Sequence, residues 1–112
     1  MSYEFNGKTI DTDVNGFLAN SEDWSKELAE HIAKLEGISL TPKHWDLIDY
    51  LRDMYFNHNN EQPNTRHIVK AMADKWGTHV SQKDVYDLFP KDPSKQGGRI
   101  AGLPESRRKG GY

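Results

Sequence analysis

Four apolar stripes at helical spacing, each closed by a capping residue, a glycine or a proline, direct this chain toward a packed array of helices. The clearest start is Thr41-Pro42, an N-cap residue followed by proline at the first helical position. It opens a stripe of Trp45, Ile48, Leu51 and Tyr55 that should run to about Asn57 and end in the polar turn His58-Asn59-Asn60. Upstream, Trp24, Leu28, Ile32 and Leu35 predict a helix over roughly 22–36, capped by Asn20 or Ser21 and followed by Gly37. Downstream, Asn64 or Thr65 caps a third helix with Ile68, Val69, Met72 and Trp76 inward and Gly77 just past its end. Ser81 then caps a fourth, carrying Val85, Leu88 and Phe89 until Pro90 stops it. One or two further turns over 93–100 are weakened by Gly97-Gly98, because each glycine in a helix interior costs about 1 kcal/mol relative to alanine.

The chain opens differently. Tyr3-Glu4-Phe5 and Lys8-Thr9-Ile10 alternate around Asn6-Gly7, the dipeptide that most readily takes the positive φ angles of a two-residue hairpin turn. Gly16-Phe17-Leu18 is expected to add a third short strand. The expected class is therefore α+β, a small N-terminal β-hairpin or meander packed on an orthogonal array of about five helices. One domain over 1–102 should carry a mobile arm over 103–112, since Leu-Pro-Glu-Ser-Arg-Arg-Lys-Gly-Gly-Tyr has no periodicity. With 112 residues, three tryptophans, five tyrosines and four phenylalanines, the chain has enough apolar area for one core.

Some functions are excluded at once. The chain has no cysteine, which removes disulfides, thiolate nucleophiles, persulfides and cysteine-type zinc sites. His31, His44, His58, His67 and His79 are scattered, and no pair has the short spacing of a zincin-like helix motif, so no metal or cofactor is expected. His44, in the first turn of its helix, reads as part of a cap. No apolar run approaches a membrane span and no signal-peptide pattern opens the chain, so a cytoplasmic location is expected.

Charge is divided unevenly. Residues 1–90 hold 9 Lys/Arg against 15 Asp/Glu, whereas residues 91–112 hold 6 against 2. An acidic body thus carries a basic tail in which Arg107-Arg108-Lys109 and Tyr112 could engage phosphates or an acidic protein cleft. Residues 64–89 also read as helix, short turn, helix. A nucleic-acid reading would send Gln82 and Lys83 to bases, but Asp84 and Asp87 on the same helix repel phosphate, and a packing corner is the preferred reading.

Several separated motifs resemble one family. They are Asn6-Gly7-Lys8, Asp13-Val14-Asn15-Gly16-Phe17-Leu18 and Asp23-Trp24; then Ile38 to Trp45 with Leu51-Arg52-Asp53-Met54-Tyr55; and finally Leu88-Phe89-Pro90, Pro93-Ser94-Lys95-Gln96 and Arg99-Ile100-Ala101-Gly102-Leu103-Pro104. In order and over nearly the whole chain they are similar to the sulfur-relay family of DsrC, the gamma-type subunit of dissimilatory sulfite reductase, and TusE of tRNA thiolation.

The resemblance implies a DsrC-like fold and a C-terminal arm whose penultimate cysteine takes up sulfur and enters a partner's active site. In the sulfite-reductase type, a second cysteine follows the Lys-Gln pair. Here those positions are Gly111 and Gly98, neither of which can carry sulfur. The resemblance also implies that Lys95 and Arg99 flank the arm's anchoring site and that Arg107, Arg108, Lys109 and Tyr112 meet a partner. The expected function is a non-catalytic partner-binding or regulatory protein of sulfur metabolism, docking by its arm on a sulfite reductase or a relay sulfurtransferase. The alternatives are a genuine sulfur carrier whose cysteines have been replaced in this chain, and a helix-turn-helix nucleic-acid-binding regulator.

Overall fold

The computed structural model describes residues 2–105. A two-stranded antiparallel hairpin, β1 (Ser2–Phe5) and β2 (Lys8–Asp11), precedes five helices: α1 (Lys26–Leu35), α2 (Pro42–Asn57), α3 (Thr65–Trp76), α4 (Gln82–Leu88) and α5 (Lys95–Ile100). Asn6 and Gly7 both take positive φ, 51° and 75°, which sets the register Phe5 to Lys8 and Tyr3 to Ile10. The third strand does not form. Thr12 and Leu18 share a single bridge, and Asp13 Oδ1 accepts from the amides of Asn15 and Phe17, closing a turn that buries Phe17 and Leu18 consecutively instead of alternately.

The first helix starts later than its apolar spacing suggests. Asn20 caps only a single 3-10 turn over Ser21–Asp23, the chain then extends at Trp24, and Ser25 caps α1 through Leu28 N. Trp24 leaves the stripe because its indole is drawn to α5. At the other end Leu35, expected in the core, is 63% exposed; Leu28, Ala29, Ile32 and Ala33 form the buried face.

The remaining starts follow local chemistry. Asn64 caps α3 through His67 N, Gly77 closes it at φ 66°, and Ser81 and Asp84 bond each other's backbone amides at the start of α4. Phe89 is fully buried, and α5 packs across α2 and α1 in the middle of the molecule.

His44 joins the cap of α2 to α4. Its Nδ1 accepts from the amide of Thr41 at 3.0 Å, which leaves Nε2–H to donate to Leu88 O at 2.9 Å. Burial lowers the imidazole pKa, with the Leu88 bond opposing. A base whose folded pKa lies below its unfolded value of about 6.5 adds stability that is complete above that pH and is lost as pH falls through the folded pKa. The denaturant midpoint should therefore fall between about pH 7.5 and 5.5, and His44→Gln should flatten that dependence. An unchanged slope in the variant would remove His44 as its cause.

Candidate functional site

Helix α5 forms in spite of its two glycines because its ends and faces are fastened. Asp92 Oδ1 accepts from the amides of Ser94 and Lys95 at 2.9 and 3.1 Å, and Ser94 Oγ donates to Pro63 O at 2.8 Å. The two glycines differ in what they require. A Cβ on Gly97 would lie 3.1 Å from Leu51 Cδ1 and 3.3 Å from Leu47 Cδ2, so the crossing with α2 needs a small residue there. A Cβ on Gly98 would meet nothing within 4 Å. Gly98 instead borders a small pocket of about 10 Å3 with Phe17, Leu51, Gln62, Ser94, Lys95, Leu103 and Pro104.

A polar anchor ties α5 to the end of α1. Glu36 Oε1 accepts from Gln96 Nε2 at 2.8 Å and from Arg99 Nη1 at 3.0 Å, while Gln96 Oε1 accepts from Lys91 N at 3.0 Å. The Arg99 guanidinium lies 5.1 Å from the Phe17 ring centre, and its Nε is buried without a hydrogen-bond partner. Arg99 is thus turned inward to Glu36. Lys95 is half-buried beside Gly98 and makes no ion pair among the described residues.

Beyond α5 the backbone passes through a row of side-chain clamps. Trp24 Nε1 donates to Ile100 O at 2.9 Å, and Arg52 Nη1 donates to Ala101 O at 2.7 Å. The Arg52 guanidinium stacks 3.8 Å from the Trp24 ring centre and 4.8 Å from that of Phe56. Burial lowers the Arg52 pKa and Asp49 opposes that shift; a guanidinium stays charged regardless. Gly102, at φ 76°, lies against the Trp24 ring, and Leu103 is buried. Gln62 Nε2 then donates to Pro104 O at 2.9 Å, and Asn15 Nδ2 donates to the Glu105 carboxylate at 2.9 and 3.0 Å. Side-chain bonds thus follow the backbone out of the body as far as Glu105.

The anchor and clamp use five polar side chains that the residue pattern does not single out: Glu36, Arg52, Gln62, Asn15 and Gln96. Asn15, Arg52 and Gln96 do fall within the family motifs. Gln82 and Lys83 lie on α4, where Lys83 Nζ pairs with Asp87 at 2.9 Å. Arg107, Arg108, Lys109, Gly111 and Tyr112 lie outside the described residues. Among the described residues no group of three or more His, Asp or Glu could hold a metal, and no helix is long and apolar enough to cross a membrane.

Residues 4–108 match the family described as "DsrC like protein". The chain is 48% identical over 102 residues to Sulfurtransferase TusE of Escherichia coli K12, covering 90% of this chain and 93% of that protein. It is likewise 48% identical over 103 residues to Sulfurtransferase TusE of Yersinia pestis, with 91% and 94% covered. Among solved structures it superimposes on Allochromatium vinosum DsrC with a TM-score of 0.85 at 37% identity, covering 96% of each chain. The oxidized gamma-subunit of the dissimilatory sulfite reductase from Archaeoglobus fulgidus gives 0.85 at 34% identity, covering 96% of this chain and 98% of that one.

Proposed function

This chain belongs to the DsrC family, and we propose that it docks by its basic arm on a sulfur-pathway enzyme, a sulfite reductase or a relay sulfurtransferase, without carrying sulfur itself. The observation that carries this reading is an arm root held by side-chain bonds at Ile100, Ala101, Pro104 and Glu105 in a chain that has no cysteine. A clamp of that kind would set where the following segment leaves the body, and presentation does not need a thiol. Arg107, Arg108, Lys109 and Tyr112 would make the contacts, with Lys95 beside the exit. Arg99 contributes by holding α5 in place.

The test is displacement of a labelled, cysteine-bearing DsrC or TusE from its partner enzyme. The full chain should displace it, and R107E/R108E/K109E should do so about tenfold less well. Failure of the full chain to displace it at any concentration would sink the reading, and binding of nucleic acid in its place would favour the regulator.

The open space at Gly98 favours a second reading, in which the natural protein has cysteine at 98 or 111 and carries sulfur. Gly98→Cys should then leave stability within about 1 kcal/mol of the parent, since a helix-interior glycine is being replaced where no overlap results. The native coding sequence decides between the two.

A further inference from the structure

The loop that holds Glu105 contains Asn15-Gly16, one of two Asn-Gly pairs in the chain, the other being Asn6-Gly7. The fold gives each residue of the pair a task. Gly16 takes φ 86°, which glycine adopts at little cost, and a Cβ on it would lie 2.8 Å from Tyr3 Oη. Asn15 is exposed, and its Nδ2 donates to both oxygens of the exposed Glu105 carboxylate at 2.9 and 3.0 Å. Around them Tyr3 Oη donates to Gly16 O at 2.9 Å, and the Gly16 amide donates to Asp13 O at 3.1 Å.

Asparagine followed by glycine is chemically labile, because no side chain shields the glycine amide from the neighbouring carboxamide. The Gly16 nitrogen, giving its proton to solvent base, attacks Asn15 Cγ; an N–Cγ bond forms, the Cγ–Nδ2 bond breaks, and Nδ2 leaves as ammonia. Water then opens the resulting succinimide at one carbonyl or the other and gives aspartate or isoaspartate. One water is consumed, one ammonia is released and one negative charge is gained, with no change of oxidation state.

The leaving nitrogen is the one that holds Glu105. Two sets of bonds must open before the reaction can start, Nδ2 to Glu105 and the Gly16 amide to Asp13 O. Once it has run, the donor is gone and two carboxylates face each other and repel. Isoaspartate also routes the main chain through Cβ, which lengthens the turn beside Tyr3. Asn6-Gly7 is an internal comparison: Asn6 is exposed, and its side chain has no hydrogen bond among the described residues.

We propose that Asn15 is a deamidation site, held back by Glu105 while the two are bonded and releasing Glu105 once it has reacted. That a released root changes how the arm meets a partner rests on the function proposed above; the chemistry and the release do not.

The test incubates the full chain and full-length Glu105→Ala for weeks in mildly alkaline buffer. Trypsin, cutting after Lys8 and Lys26, then separates Asn6 from Asn15 for mass analysis. In the parent, Asn15 should exchange NH2 for OH more slowly than Asn6; in Glu105→Ala it should react about fivefold faster than in the parent, the factor that one net hydrogen bond represents. Release is read from nitrogen relaxation of the Glu105 amide, whose order parameter should fall in Asn15→Asp. It should recover in N15D/E105Q, where the new carboxamide donates to the new carboxylate. An Asn15 that stays intact in Glu105→Ala, or that reacts equally fast with and without Glu105, would overturn the proposal. So would an order parameter in Asn15→Asp equal to the parent's. Because no readout uses a partner enzyme, failure here is distinct from failure of the displacement experiment.

Discussion

Gly102→Ala should lower the stability of this protein by about 3 kcal/mol, seen as a fall in thermal midpoint of about 10 °C or more. Two costs add. Gly102 sits at φ 76°, where a residue with a Cβ is strained by about 1–2 kcal/mol. That Cβ would also lie 2.3 Å from Trp24 Cδ1 and 2.5 Å from Trp24 Cγ, so the indole must move. The ring cannot move freely, because Nε1 is bonded to Ile100 O and its face carries Arg52. Displacing it loosens both clamps at the arm's exit, so the substitution should impair displacement of a cysteine-bearing relative as well as stability. A midpoint within about 2 °C of the parent would show that the turn relaxes around the methyl group and that the clamp is softer than its geometry implies.

Glu36→Ala should cost about 2–3 kcal/mol through a different cause. Glu36 Oε1 is the shared acceptor for Gln96 and Arg99, and both charged side chains of the pair are mostly buried, at 12% and 22% exposed. Arg99 Nε already lacks a hydrogen-bond partner, so removing the carboxylate takes away the ion pair of a mostly buried guanidinium and leaves it against the Phe17 ring. Glu36→Gln keeps one acceptor oxygen and should lose roughly half as much. A double-mutant cycle with Arg99→Met separates the pair from the rest, because an apolar replacement of both partners removes the stranded charge. Additive losses in that cycle would mean that Glu36 and Arg99 do not depend on each other.

How much of this was readable in the chain depends on how far each signal lies from its cause. Thr41-Pro42, Asn64, Gly77 and Ser81 act within one helical turn, and the ends they mark are found where the residues place them. Trp24 looked like the first residue of a helical stripe, yet its indole answers to Ile100, 76 positions away, and the helix starts after it. Gly97-Gly98 looked like a weak point. Gly97 is the close crossing over Leu47 and Leu51, information held on α2 and absent from the pair itself.

The site was legible to a similar depth. Arg99 stood out as a basic residue beside the arm, but the direction of its side chain is set by Glu36, 63 positions away. Arg52, Gln62 and Asn15 are ordinary polar residues by type and acquire their roles only because the segment 101–105 passes beside them. The lack of cysteine needed no structure at all.

Docking without a thiol is best tested by sulfur transfer from a persulfide donor through a cysteine-bearing TusE or DsrC to its partner enzyme, with increasing amounts of this chain added. Such docking predicts that transfer slows as the chain occupies the partner, that more of the cysteine-bearing relative reverses the effect, and that the chain's own mass stays unchanged throughout. Transfer that proceeds at the same rate with the chain in large excess would contradict it.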